Sequence, residues 1–341
     1  MDIRNRKGLR RDAVAAVASN PGDTRYTLLV YLAVTAFCGL FIAALSTVLD
    51  QQIANTGGLQ NLGTQAILST IQTAAPLILS LALMGLDLGR RAVCMKMARR
   101  LAVEPRDLLM GFSHFGALLR ATILFGIMGY VLVVVSAIVG CTIFMATPLS
   151  RDLLAILLDV SMTSEEMYAA LYNDPAFLDQ MFRAMLPAYP IVGVILLALA
   201  APLFYRFRMT HYCLLEGYRT GALKAMGESL RMTKGNGFAL FKLDLSFWWF
   251  YLAQAFCFAL MYGDKILSLL GVALPWNATT GYFIFYIAAL ALECALYWFT
   301  LNHVQTTYAL AFDAIRPRPQ PTQGGVVLGN IFDLAREQMD R

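Results

Sequence analysis

The stretch from Lys224 to Trp249, KAMGESLRMTKGNGFALFKLDLSFWW, joins two segments of different character. Its first half mixes charged and apolar residues at helical spacing, whereas its second half is an apolar run that ends on two tryptophans. The turn Lys-Gly-Asn-Gly at 234–237 separates the halves, and glycine readily supplies the left-handed residue that ends a helix. The sequence therefore predicts a water-facing helix that turns sharply into a membrane helix.

Long uncharged runs recur on both sides of this stretch. Charged residues make up only 14% of the 341 residues, whereas soluble domains carry about 25%. A helix needs about 20 apolar residues to cross roughly 30 Å of hydrocarbon. The sequence thus predicts an all-α, polytopic membrane helix bundle, with membrane helices at about residues 26–49, 65–88, 121–145, 187–206, 245–263 and 281–303.

The same pattern divides the chain into three parts. Residues 1–25 form a basic cytoplasmic N-terminal segment, and residues 26–315 form a six-helix membrane domain. Residues 316–341 open with Arg-Pro-Arg-Pro-Gln-Pro, which favours extended polyproline geometry, and are expected to be a mobile cytoplasmic tail.

Three charged segments within the membrane domain predict its orientation. Segments 90–120 and 206–244 are basic, and we expect amphipathic helices there that lie on the inner surface and meet anionic lipid headgroups. Segment 151–183 is acidic and is expected to form two short outer helices, one with a capping box at 163–166 and one starting at Asp174-Pro175. The positive-inside rule then places both termini in the cytoplasm.

Glu293 is the candidate intramembrane polar site. It falls near the middle of the predicted sixth helix, where a charge costs at least about 2.5 kcal/mol. Tyr286, Tyr297 and Thr300 share its helix face, and Gln254 lies at mid-depth on the antiparallel fifth helix, where it could hydrogen bond to Glu293. The group is either a proton or cation site in a transport path, or a neutral carboxyl that links two helices.

The cytoplasmic hinge is the second candidate site. One interpretation is a docking or phosphate-binding elbow, and the other is a helix stop that lets the chain re-enter the bilayer at a fixed angle. Gly235 or Gly237 can supply the left-handed residue, and Lys234 suits the negative end of the helix dipole. The hinge residues are Glu228, Lys234, Gly235, Asn236, Gly237 and Asp244.

Near the end of the second helix, Asp87 is expected to pair with Arg90 and Arg91 at the membrane boundary. Gly85 and Gly89, spaced as small-xxx-small, could let two helices approach closely.

No motif for catalysis, cofactor binding or metal binding is present. The three histidines do not share a helical face with a carboxylate at metal spacing, and no GxSxG or HExxH occurs. The six cysteines form no CxxC and lie in apolar helices or at their ends, which favours unpaired thiols over a disulfide framework. The sequence therefore predicts a protein that is not an enzyme.

Part of the chain resembles a known family. Glu228-Ser229, Met232, Lys234-Gly235-Asn236, Phe241 and Leu243 to Phe247 with Trp249 resemble the bacterial integral-membrane family called domain of unknown function 975. Weaker likeness extends over residues 80–313, with departures at Gly237, where the family often has Lys, and at Asp313, where an aromatic is usual. The resemblance implies a multi-pass protein of the bacterial cytoplasmic (inner) membrane without established activity.

Two functions from different classes fit these features. The first is a non-catalytic accessory or scaffold protein whose partners are the lipid bilayer and another membrane protein complex, without nucleic acid. The alternative is a small proton- or ion-coupled transporter or permease that uses the Glu293 face, and an intramembrane enzyme ranks third. A cavity that reaches Glu293 would favour transport, whereas a dry bundle would argue against it.

Overall fold

A computed structural model describes residues 3–19, 21–55, 62–157, 174–216, 221–269 and 278–316. Every regular element in these ranges is helical. Two short 3₁₀ helices lie at Pro105–Leu109 and Pro148–Ser150. The α-helices are α1 (Arg6–Ala18), α2 (Pro21–Asn55), α3 (Leu62–Ala98), α4 (Met110–Ser113), α5 (Phe115–Met145), α6 (Arg151–Leu157), α7 (Pro175–Met185), α8 (Ala188–Phe207), α9 (Thr210–Glu216), α10 (Ala222–Thr233), α11 (Gly237–Leu245), α12 (Trp248–Met261), α13 (Gly263–Leu269) and α14 (Ala278–Ile315).

Among the described residues, five stretches are long and apolar enough to cross a membrane, which confirms the prediction of an all-α, multi-pass membrane fold. A sixth span results if α11 and α12 are counted together, but they are bent by 67°. The five stretches are Asp23–Ile53, Ala66–Ala98, Phe115–Met145, Ala188–Glu216 and Thr280–Ile315.

The predicted fifth membrane helix, 245–263, is shorter than expected. α12 begins at Trp248 and ends at Met261, because the backbone leaves helical geometry at Phe247 and again at Tyr262. At the first break, the Ser246 hydroxyl donates to the carbonyl of Leu243 at 2.6 Å, which satisfies part of the end of α11.

The basic segment 90–120 differs most from its prediction, because it is not a single amphipathic surface helix. α3 continues through Ala98, the chain turns at Arg100 with a positive φ of 57°, and a 3₁₀ helix begins at Pro105. A proline cannot continue a helix from the preceding turn. Arg90 is buried and pairs with Asp87, so of its two predicted contacts, with lipid headgroups and with Asp87, the structure shows the second.

The chain divides into two compact units. The first comprises Met1–Leu119 and Arg208–Arg341. Within it, the long helix α14 packs against α1, α3 and α12. Its core lies towards the charged ends of these helices, where Leu9, Leu88, Leu214, Leu240, Leu243 and Phe312 are almost fully buried.

The second unit comprises Arg120–Phe207. A small core gathers Phe144, Leu153, Ala184 and Ala188 from α5 to α8. As predicted, α7 starts after Asp174, whose carboxylate accepts from the backbone N–H of Ala176 at 2.9 Å. The predicted capping box at 163–166 and the tail beyond residue 316 lie outside the described residues.

Candidate functional site

A cleft of about 460 Å³ between α12 and α14 contains Glu293. Its polar lining residues are Tyr251, Gln254, Tyr286 and Glu293, and the rest of its lining is apolar. The volume lies within the range of small-ligand sites, which are typically apolar with a few placed polar groups. Sequence reasoning identified three of these four polar residues and missed Tyr251.

The predicted hydrogen bond between Gln254 and Glu293 is replaced by a bridge. The amide of Gln254 donates to the hydroxyl of Tyr297 at 2.6 Å, and Tyr297 in turn is hydrogen bonded to the Glu293 carboxylate. A tyrosine hydroxyl both accepts and donates, so it can serve both neighbours at once. Tyr297 therefore links α12 to the carboxyl group.

Two other residues of the predicted face have different roles. The Tyr286 hydroxyl approaches α2 at Gly39, where an added Cβ would lie 2.9 Å from it. Thr300 donates to the carbonyl of Leu296 at 2.5 Å and is thereby committed to its own helix.

The hinge geometry favours the helix-stop interpretation. Gly235 adopts the left-handed conformation with φ 84°, one of the two alternatives predicted. The side chain of Asn236 donates to the carbonyl of Met232 at 3.2 Å, which satisfies an acceptor at the end of α10. Lys234 is the non-helical residue that follows α10, α11 starts at Gly237, and Glu228 lies half-buried within α10.

Asp244 connects the hinge to the cleft, which sequence reasoning treated as separate sites. Arg208 and the Tyr308 hydroxyl each donate to a different oxygen of the Asp244 carboxylate. The hydroxyl of Tyr251, which lines the cleft, lies 2.7 Å from that of Tyr308 and accepts from Arg208 at 3.2 Å. Because the single hydroxyl hydrogen of Tyr308 is used in the hydrogen bond to Asp244, the hydroxyl of Tyr251 donates to that of Tyr308.

A second charged cluster, which the sequence did not reveal, surrounds Arg99. Its guanidinium donates to Glu216 at 2.8 Å and to both oxygens of Asp313 at 2.7 and 3.1 Å. Arg316 also pairs with Glu216, at 2.5 Å. Burial disfavours the charge of Arg99, but its bonds to Asp313 and Glu216 outweigh this, so the pKa of Arg99 is raised. We call these four residues the Arg99 cluster.

Smaller contacts near α3 follow the sequence more closely. Asp87 pairs with Arg90 at 2.5 Å and with Arg91 at 3.0 Å, as predicted. The predicted close approach at Gly85 and Gly89 is also confirmed, because a Cβ on Gly89 would lie 1.7 Å from the carbonyl oxygen of Leu108.

The described residues hold no group of three His, Cys, Asp or Glu side chains that could bind a metal ion. All six cysteines are unpaired thiols. Cys94, Cys213 and Cys257 are buried, whereas Cys141 is exposed, so not all of them serve as core residues.

Fold and site together define a multi-pass helical membrane protein with a carboxyl group within one span. The profile of the family described as "Protein of unknown function (DUF975)" matches residues 1–318, which include every residue of the cleft, the hinge and the Arg99 cluster. The chain belongs to this family. No curated protein and no solved structure matches it.

Proposed function

We propose that the protein is a small proton- or cation-coupled transporter whose coupling group is Glu293. The observation that carries the proposal is the cleft of about 460 Å³ that reaches this carboxyl group. Ionisable residues within membrane spans typically face a bundle interior or a water-filled cavity and often mark ion or proton paths. The cleft therefore gives Glu293 a physical reason to lie where a charge is costly.

The backbone beside the cleft supports the same function. α12 has 14 residues and is about 21 Å long at 1.5 Å per residue, which is short of the roughly 30 Å hydrocarbon core. Breaks at Phe247 and Tyr262 interrupt the apolar segment at both ends of this helix. In secondary transporters, interrupted helices commonly form the site near the middle of the bilayer.

Polar groups continue beyond the cleft in both directions along α14. Towards α11, Tyr251 and Tyr308 lead to Asp244 through hydrogen bonds. In the opposite direction, the ring centres of Tyr286 and Tyr282 lie 5.8 Å apart, and α13, which carries Asp264, packs against α14. A series of hydroxyl and carboxyl groups of this kind can pass protons when water joins its gaps.

The predicted positive-inside orientation would place the Asp244 end in the cytoplasm. Protons or cations would then move between the Asp264 end outside and Asp244 inside, with Glu293 as the binding step. This direction rests on the charge distribution of the loops in the sequence.

Flux measurements in proteoliposomes test the proposal. Vesicles would contain a pH-sensitive dye, and proton, sodium and potassium gradients would be imposed in turn. The protein is expected to accelerate the decay of one gradient relative to empty vesicles. Glu293→Gln should lower this rate at least about tenfold, because the amide cannot exchange a proton or carry charge.

Asp152→Asn is the control, since Asp152 is exposed on α6 and belongs to neither the cleft nor the hinge. Its flux should equal that of the unmodified protein. Equal flux for Glu293→Gln and the unmodified protein would reduce Glu293 to an interhelical contact. If the protein accelerates none of the gradients, the accessory or scaffold function is the better interpretation.

A further inference from the structure

A second cavity, of about 400 Å³, lies between the first turn of α1 and the junction of α11 with α12. It is lined by Arg4, Asn5, Arg6, Lys7, Arg10 and Ser246. Four of these six side chains are cationic, and none of the described residues that line the cavity is acidic. The first turn of α1 also contains no acidic residue. Four cations around one space repel one another, and an anion in the cavity would relieve this repulsion.

Backbone contacts hold two of the cations in place. Arg6 donates to the carbonyl of Lys242 at 3.3 Å, and Arg10 donates to the carbonyl of Ser246 at 3.4 Å. Both carbonyls lie at the C-terminal end of α11, where the helix dipole attracts cations. A guanidinium has five N–H donors in a planar fork, so each arginine keeps donors for an incoming anion. Capping of α11 therefore explains the positions of Arg6 and Arg10 but gives no reason for Lys7.

Exposed apolar side chains surround the same junction. Phe238 is 67% exposed, Leu245 56% and Trp248 60%. The Lys242 ammonium lies 4.4 Å from the ring centre of Phe238, and the Arg10 guanidinium lies 5.0 Å from that of Phe247. Exposed tryptophan and phenylalanine beside basic groups are typical of the headgroup level of a bilayer. A ligand at this place would meet cations at one end and apolar side chains along its length.

We propose that this cavity binds the phosphate of an anionic phospholipid, whose acyl chains lie along α11 and α12. The four cations supply charge and hydrogen bonds to the phosphate oxygens, since guanidinium and phosphate match in bidentate geometry. The exposed apolar side chains favour a lipid over inorganic phosphate. The site is separate from Glu293 and does not depend on the proposed transport function.

Quenching of tryptophan fluorescence by brominated lipids tests this site, because Trp248 and Trp249 lie two and three residues after Ser246 in the chain. The full chain would be reconstituted in phosphatidylcholine vesicles that contain rising fractions of brominated phosphatidylglycerol. We expect strong quenching at a low fraction of this lipid and weaker quenching by brominated phosphatidylcholine at the same fraction. Arg4→Gln with Lys7→Gln should raise the half-quenching fraction on the order of fivefold for each cation removed, because both carbonyl caps of α11 remain.

Arg11→Gln with Lys224→Gln is the matched control, since both residues are exposed, outside the cavity, and carry the same total charge. This variant should keep the quenching curve of the unmodified protein. Equal shifts in the two double variants would show a general charge effect and overturn the proposal. Full displacement of the lipid by millimolar inorganic phosphate would overturn the assignment to a phospholipid, whereas persistence of quenching supports it.

Discussion

The Arg99 cluster and the Glu293 cleft belong to the same compact unit, yet their charges are matched in different ways. In the Arg99 cluster, Arg99 and Arg316 face Glu216 and Asp313 at 2.5 to 2.8 Å. In the described part of the chain, Glu293 forms no salt bridge and has a tyrosine hydroxyl and open space beside it. Charges that pair with oppositely charged side chains of the same protein stabilise its fold. A carboxyl group without such a partner can instead accept a mobile proton or cation.

The largest effect should come from breaking the Arg99 cluster. Glu216→Gln removes the carboxylate that pairs with both Arg99 and Arg316. The effect should be large because the Glu216 side chain is only 9% exposed. Loss of one partner from a buried pair typically lowers the free energy of unfolding by about 3–5 kcal/mol. Thermal or denaturant unfolding in mixed micelles measures this change.

Glu293→Gln is the counterpart of that experiment in the cleft. Its free energy of unfolding should stay within about 1 kcal/mol of that of the unmodified protein, because no counter-ion is stranded. Equal destabilisation by Glu216→Gln and Glu293→Gln would remove the distinction between the two regions.

The next effect concerns the close backbone contact at Gly89. Gly89→Ala would place a Cβ 1.7 Å from the carbonyl oxygen of Leu108, so the two segments must separate. We expect a loss of about 3 kcal/mol in the free energy of unfolding, near the upper end for overpacking. Gly227→Ala is the control within a helix, because a Cβ there meets no atom within 4 Å. It should stabilise the protein by about 0.4–1 kcal/mol.

The smallest effect is expected for the bridge between α12 and α14. A double-mutant cycle of Gln254→Leu and Tyr297→Phe isolates the hydrogen bond of 2.6 Å. Hydrogen bonds between membrane helices contribute about 0.6 kcal/mol on average and at most about 1.7. A coupling energy above about 3 kcal/mol would indicate that the cleft is held as rigidly as the Arg99 cluster.

Features that depend on neighbours along the chain were predictable. The apolar runs predicted the membrane spans because the thickness of a bilayer sets the length of a helix that crosses it. The glycines at 235 and 237 predicted a helix end at one of the two positions, and the Asp174-Pro175 pair predicted a helix start. The left-handed residue is Gly235, and α7 starts at Pro175. The carboxyl of Glu293 stood out for the same reason, as a single charge within an apolar run.

Features that depend on distant partners were not predictable. The burial of Arg90 depends on how α3 packs and was not predicted, although its pairing with Asp87, three residues away, was predicted from the spacing. Asp313 attracted notice only as a departure from the family, although it pairs with Arg99, 214 residues away. The spacing of apolar residues along a helix does not indicate which residues far apart in the sequence will pair.

The amino-acid sequence was enough to predict a multi-pass helical membrane protein with a carboxyl group in one span and a glycine hinge before another. The contacts of the hinge residue Asp244 with Tyr308 and Arg208, which connect it to the cleft, became visible in the folded chain. A membrane span can be predicted because the free energy of transferring an apolar segment into lipid depends on the residues of that segment alone. The partner of a polar group is instead chosen by which helices pack together, and that depends on the whole chain.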